Sequence, residues 1–193
     1  MDNSNPVLGS EQNVNIATHF LDPIRILNEI GIKEGSIISD FGSGSGHFTV
    51  LMAERVGKDG RVYGIDVQES ALENLKTKIK ASSLENVETI RADLEVLGGT
   101  KLLDNSQDMV LLSDTLFQSI KKADMIKEAQ RILKMGAMLV VIEWKKGIGK
   151  FGPPEELKTD ESTINSLVTE NGFNFVRNID TGQFHLGMIF SKK

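Results

Sequence analysis

Four apolar runs in this chain end on or beside an acidic residue, and that spacing suggests a small-molecule site. The first, Ile37-Ile38-Ser39, leads into Asp40 and Phe41, and Gly42, Gly44 and Gly46 follow with Ser43 and Ser45 between them. Glycine tolerates φ > 0 and lets a ligand lie against bare main chain. From His47 the spacing is helical, so the stretch predicts strand, tight turn and helix, with helical N–H groups facing whatever binds there. The G-x-G-x-G spacing differs from the dinucleotide pattern G-x-G-x-x-G. Roughly twenty residues past the loop, Arg61 to Asp66 forms a second run ending in an acid. In a doubly wound sheet such a carboxylate lies beside the loop, accepts hydrogen bonds from ribose hydroxyls and repels a 2′-phosphate. The predicted ligand therefore carries an adenosine-like sugar without that phosphate. Ala92, Asp93 and Leu94 close a third run, and Ser113 and Asp114 a fourth. His185, Glu143, Asp114 and His19 are the candidates for proton transfer.

The elements that must position these residues can be placed from periodicity. Leu21, Ile24, Leu27 and Ile30 recur at helical spacing, with an interruption at Asp22-Pro23 and Gly31 as a C-cap. A helix is expected from Ser45 to Val56, another from Glu69 to Ala81, and a third from Lys121 to Lys134, ended by Met135-Gly136. Ala137 to Trp144 is nearly all apolar, as in a central buried strand. Gly98-Gly99 leaves room only for a loop or short helix between the third and fourth strands. Lys145 to Lys158 holds three glycines and Pro153-Pro154 and is read as a loop. Asp160 should cap a helix over Glu161 to Asn171. Phe173 to Asp180 and Phe184 to Ser191 read as a terminal pair of strands.

In order, Asp40-Phe41-Gly42-Ser43-Gly44-Ser45-Gly46, Gly64-Ile65-Asp66, Arg91-Ala92-Asp93 and Asp108-Met109-Val110-Leu111-Leu112 resemble the successive motifs of the class I S-adenosylmethionine-dependent methyltransferases. The likeness runs from about Gly31 to Lys193 and is similar to the small-molecule branch of ubiquinone and menaquinone biosynthesis. It implies an α/β fold: a doubly wound, Rossmann-like three-layer sandwich around a seven-stranded, mostly parallel sheet with a C-terminal antiparallel hairpin. It implies S-adenosyl-L-methionine as cofactor. Asp40 would hold the methionine amino group, and Gly42, Ser43, Gly44 and Gly46 would meet the cofactor with main chain. Asp66 would take the ribose diol and Val67 would pack on the adenine. Asp93 would receive the adenine amino group, with Ala92 or Leu94 main chain reading the ring. Ser113 would face the amino-acid portion and Asp114 the acceptor. His19, Phe20 and Asp22 would border the methionine end. Phe20, Leu116, Phe117, Trp144, Phe151 and Phe184 could line an apolar acceptor pocket. The resemblance also puts a histidine-bearing strand where His185 stands. The Asn-Pro-Pro-aromatic motif of amide and nucleobase N-methylation is replaced by Ser113-Asp114-Thr115-Leu116, which argues against that chemistry.

Composition narrows the reading further. The 193 residues suit one domain over 14–193 behind a loose tail over 1–13. At 39% hydrophobic and 25% charged residues the chain is globular rather than disordered. A net charge of −5 without an obvious basic face makes a nucleic-acid partner unlikely and a small-molecule acceptor the expectation. The absence of cysteine excludes disulfides and thiolate metal sites, and argues against the thiol-using arsenite methyltransferases. Asp114 and Glu143 alone make a weak metal site, so none is expected. The polar, acidic start is no signal peptide and no apolar run reaches membrane-spanning length, so the expected setting is the cytoplasm, as monomer or homodimer. The alternatives are an RNA or protein methyltransferase, a non-catalytic binding module and a nicotinamide dehydrogenase; glycine spacing and the terminal hairpin speak against the last.

Overall fold

The computed structural model describes residues 21–148 and 151–193. Its elements run α1 (Pro23–Ile30), β1 (Ile37–Phe41), α2 (His47–Val56), β2 (Arg61–Asp66), α3 (Glu69–Ala81), β3 (Val87–Arg91), β4 (Gln107–Ser113), α4 (Lys122–Ile132), β5 (Leu133–Trp144), α5 (Glu161–Glu170), β6 (Phe173–Ile179) and β7 (His185–Lys192). The expected tail, the first part of the N-terminal helix, His19 and Phe20 lie outside the described residues.

The strands form one sheet in the order β3-β2-β1-β4-β5-β7-β6. β1 to β5 pair in parallel, whereas β7 runs antiparallel between β5 and β6. The order reverses at β1, whose neighbours are β2 and β4, and ligands of such sheets bind at the carboxyl ends of the strands at that point. Asp40, Asp66 and Ser113 all sit at or beside those ends. The antiparallel register pairs Trp144 with His185, which brings the start of β7 to the same edge.

Two apolar layers fix this frame. α1 and α2 send Ile26, Leu27, Ile30, Phe48, Met52, Ala53 and Val56 onto one face of the sheet. α4 and α5 send Met125, Ile126, Ala129, Ile132, Ile164 and Val168 onto the other. Each large aliphatic or aromatic side chain buried this way contributes about 1.5–3 kcal/mol. The three-layer expectation therefore holds. α1 is opened by Asp22, whose Oδ1 accepts from Ile24 and Arg25 N–H at 3.0 and 3.2 Å, and closed by Gly31 in the left-handed region. Asp160 caps α5 by accepting from Thr163 N–H at 2.9 Å.

Two expected boundaries move. α2 begins at His47 rather than Ser45, because Gly46 adopts φ 84° as its N-cap. The helix expected to reach Lys134 stops at Ile132, and β5 starts at once with Leu133 opposite Gln107. The ladder then shifts, pairing Met109 with Met138, and Gly136 at φ 74° lies in the segment that bulges out. Helical periodicity continues through Leu133, but the lock of Lys134 Nζ on Asp108, 2.7 Å away, favours extended chain here.

Where the sheet lacks a helix between β3 and β4, Glu128 supplies the order. This fully buried carboxylate accepts from Gly98 N–H at 2.7 Å and Thr100 Oγ1 at 2.6 Å, and pairs with Arg131 at 2.7 Å. Burial alone would raise its carboxyl, but the bonds from Arg131, Thr100 and Gly98 overcome it and hold it down at about 2.

Candidate cofactor cleft and acceptor side

The glycine turn is hooked to its neighbour strand by main chain: Gly42 and Ser43 N–H both donate to Ile65 C=O, at 2.8 and 3.0 Å. Gly42 sits at φ 74°, and a Cβ there would lie 2.5 Å from Thr115 Oγ1, so strand-to-turn geometry and the neighbouring loop both demand glycine. Asp66 reaches the turn. Its Oδ2 accepts from Gly44 N–H at 3.0 Å and its Oδ1 from Gln68 N–H at 2.8 Å. A carboxylate has about four acceptor positions, so room remains for a diol.

Beside Asp66 opens a cavity of about 400 Å³ lined by Gly42, Gly44, Val67, Asp93 and Leu94, with Ala92 and Thr115 also in its wall. Val67 is 57% exposed, an apolar plate at its mouth. Asp93 Oδ1 also accepts from Glu95 N–H at 2.9 Å, so it braces its own loop as well as bordering the cavity. Ser119, also in the wall, holds a buried hydroxyl with no hydrogen-bond partner among the described residues.

A second cavity, about 280 Å³, lies across the same two glycines and is lined by Asp40, Ser43, His47, Phe48, Ser113 and Asp114. α2 has no side-chain cap, so its first N–H groups face this end unsatisfied by its N-cap. Asp40 is buried and accepts from Thr49 Oγ1 at 2.5 Å. Burial pushes its carboxyl up to about 7, with Asp66 adding to the rise and the Thr49 bond opposing it. Ser43 Oγ and Asp114 Oδ1 are both buried without a hydrogen-bond partner among the described residues. Asp114 is held at φ 53°, a backbone conformation uncommon for a non-glycine residue.

Behind Asp114 stands His185, 2% exposed, with Nε2 3.4 Å from Asp114 Oδ2 and its ring tilted at 45° against Trp144, the centroids 4.1 Å apart. His185 borders a third cavity, about 160 Å³, together with Lys145, Thr181 and Gly182. Glu143 lines none of these cavities. It is 1% exposed, and its Oε1 accepts from Thr115 N–H at 2.9 Å and Leu116 N–H at 2.5 Å. Burial pushes its carboxyl up to about 8, with Asp114 adding to the rise and those backbone bonds opposing it. Both bonds go to loop backbone. Gly46 likewise lines none of these cavities; its missing side chain makes way for Leu75 of α3. Of the apolar acceptor set, Leu116 is core, while Phe151 and Phe184 pack edge to face at 5.1 Å. Asp22 is occupied as a helix cap.

The family described as "Methyltransferase domain" matches residues 32–183, which take in the whole lining of the first cavity and strands β1 to β6. The chain belongs to the class I S-adenosylmethionine-dependent methyltransferases. A demethylmenaquinone methyltransferase of Staphylococcus aureus (strain JH9) is 34% identical over 119 residues, which are 62% of this chain and 47% of that protein. The chain thus matches about half the length of this curated relative. An S-adenosylmethionine-dependent methyltransferase from Aquifex aeolicus superposes with a TM-score of 0.83 at 28% identity, covering 91% of this chain and 92% of that one. The [4+2]-cyclase SpnF superposes with a TM-score of 0.75 at 15% identity, covering 88% of this chain and 80% of that one, and shares the fold alone.

The donor set fits the family's cofactor. The chain offers a carboxylate with acceptor positions to spare in one cavity, and in the other an acid beside a helix start that has no side-chain cap. Ser43 Oγ, Asp114 Oδ1 and Ser119 Oγ, which have no hydrogen-bond partner among the described residues, are buried polar atoms of the kind a ligand satisfies. The sequence motifs did not point to Thr49, Thr115, Gln118 or Ser119. Thr49 lies in the first turn of α2 behind Asp40, and the other three follow β4 on or directly beside a short 3-10 turn, Leu116–Gln118. An N-terminal glycine loop predicts neither.

Proposed function

We propose that this protein transfers a methyl group from S-adenosyl-L-methionine to a small, partly apolar molecule at carbon or oxygen, of the hydroquinone class. Supporting this is one observation above the others: two cavities meet across Gly42 and Gly44, one walled by Asp66 and the other by Asp114. Asp66 holds the ribose, Val67 and Leu94 flank the adenine, and Asp40 with the first N–H groups of α2 holds the amino-acid end. When bound, S-adenosylmethionine supplies an electrophilic methyl group. The acceptor gives up a proton as its oxygen or ring carbon is methylated. Asp114 Oδ1 takes that proton, and His185 steadies the charge on Asp114 from behind. Alignment of the acceptor in the second cavity provides much of the acceleration.

A small acceptor is favoured over RNA because Asp66, Asp93 and Glu95 crowd the first cavity with carboxylates, which repel a phosphate backbone. Among the described residues no helix is long and apolar enough to cross a membrane, and no group of three His, Asp or Glu could hold a metal ion.

Calorimetry with S-adenosylhomocysteine tests the cofactor half. Asp66→Ala should bind about 100-fold more weakly, the loss of hydrogen bonds to a charged group worth about 1.5–3 kcal/mol each. No binding by the wild type would overturn the assignment. Release of S-adenosylhomocysteine from S-adenosylmethionine in the presence of a reduced naphthoquinone tests the acceptor half.

A further inference from the structure

We propose that Glu143 is a positioning residue: a latch from the end of β5 that holds the loop after β4 in place and so shapes both halves of the cofactor cleft. This rests on the cofactor assignment above.

The geometry is a short chain of contacts. Glu143 Oε1 accepts from two successive N–H groups, Thr115 and Leu116, at the start of the 3-10 turn Leu116–Gln118. That turn has no side-chain cap of its own, so a carboxylate from another strand does the capping. Once seated, Thr115 Oγ1 donates to Phe41 C=O at 3.0 Å and lies close to Ser113 C=O at 2.9 Å, tying the ends of β1 and β4 together. Gln118 Nε2 donates back to Asp114 C=O at 3.1 Å and closes the loop on itself.

The loop held in this way touches both cavities. Thr115, Gln118 and Ser119 line the first, and Ser113 and Asp114 the second. Asp114 keeps its left-handed φ of 53° inside this loop, a conformation that persists only where surroundings enforce it. Thr115 also fills the space that Gly42 leaves open, so the latch and the glycine turn are fitted to each other. Glu143 is buried among these groups and meets neither cavity. Its effect on the reaction therefore passes through backbone N–H groups rather than through a ligand.

Three variants test this, with two readouts: affinity for S-adenosylhomocysteine and amide hydrogen exchange at Thr115 and Leu116. Glu143→Gln keeps an acceptor oxygen in place and should bind within threefold of wild type with both amides still protected. Glu143→Ala should bind at least tenfold more weakly and lose protection at those two amides first. Should Glu143→Ala fail to fold, Thr115→Val removes the hydroxyl alone and should weaken binding at least fivefold. If wild type binds and the alanine and valine variants bind as well as it does, the latch is overturned while the cofactor assignment stands. If Glu143→Gln loses as much affinity as Glu143→Ala, with its amides protected, Glu143 acts by charge and the positioning role is overturned. If wild type itself does not bind, the cofactor assignment fails first.

Discussion

Asp40 shows how burial turns a single carboxylate into a condition on binding. Its carboxyl is lifted to about 7, chiefly by burial, so near neutral pH it is shared between charged and neutral forms. A cationic ligand group beside it favours the charged form. S-adenosylhomocysteine affinity should therefore be roughly tenfold weaker at pH 6 than at pH 8, and Asp40→Asn should flatten that dependence, as read by calorimetry across the range. The effect on stability has the opposite sense. A folded carboxyl raised above its ordinary value favours folding below that value, and the contribution is lost as pH rises through about 7. The melting temperature without ligand should thus fall between pH 5 and 8 by more in wild type than in Asp40→Asn. Asp40, Asp66 and Asp93 were legible in the sequence because each ends or follows an apolar run. Glu143 was legible as a residue at the end of its strand but not in its partners: Thr115 and Leu116 are 28 and 27 positions away, and no spacing rule pairs them.

Among elements, the connection between β3 and β4 depends most on one side chain. Glu128 of α4 gathers Gly98, Thr100 and Arg131, and this stands in for a packed helix. Glu128→Ala leaves Arg131 partly buried without that partner and should cost about 3 kcal/mol in urea unfolding. Since its carboxyl is held down at about 2, the stabilisation is present above the ordinary carboxylate value and fades as pH falls from about 4.5 towards 2. The sequence marked Gly98-Gly99 as a place where no full helix fits, but gave no sign that a residue of the next helix would organise it. The junction at Ile132 and Leu133 was hidden for a related reason. Apolar spacing continues unbroken from α4 into β5, so periodicity alone has no stop signal there.

For the whole molecule, most of the architecture was readable because parallel strands buried on both faces leave near-continuous apolar runs. The terminal antiparallel hairpin came from family likeness, but its order did not: two adjacent terminal strands have no local feature that says which of them meets β5, and it is β7 that does. A ligand that binds only the folded chain stabilises all of it. At about 100 times its dissociation constant, S-adenosylhomocysteine should add about 2.7 kcal/mol and raise the melting temperature by roughly 5–10 °C in a thermal scan.

Gly42 and Gly44 border both cavities, so the two chambers share a ridge of uncovered peptide. A molecule with one arm in each chamber is the tethered form of two weak fragments. Adenosine and homocysteine should therefore occupy the protein together without competing. Joining them should raise affinity over either fragment by about 100-fold or more, through effective concentration.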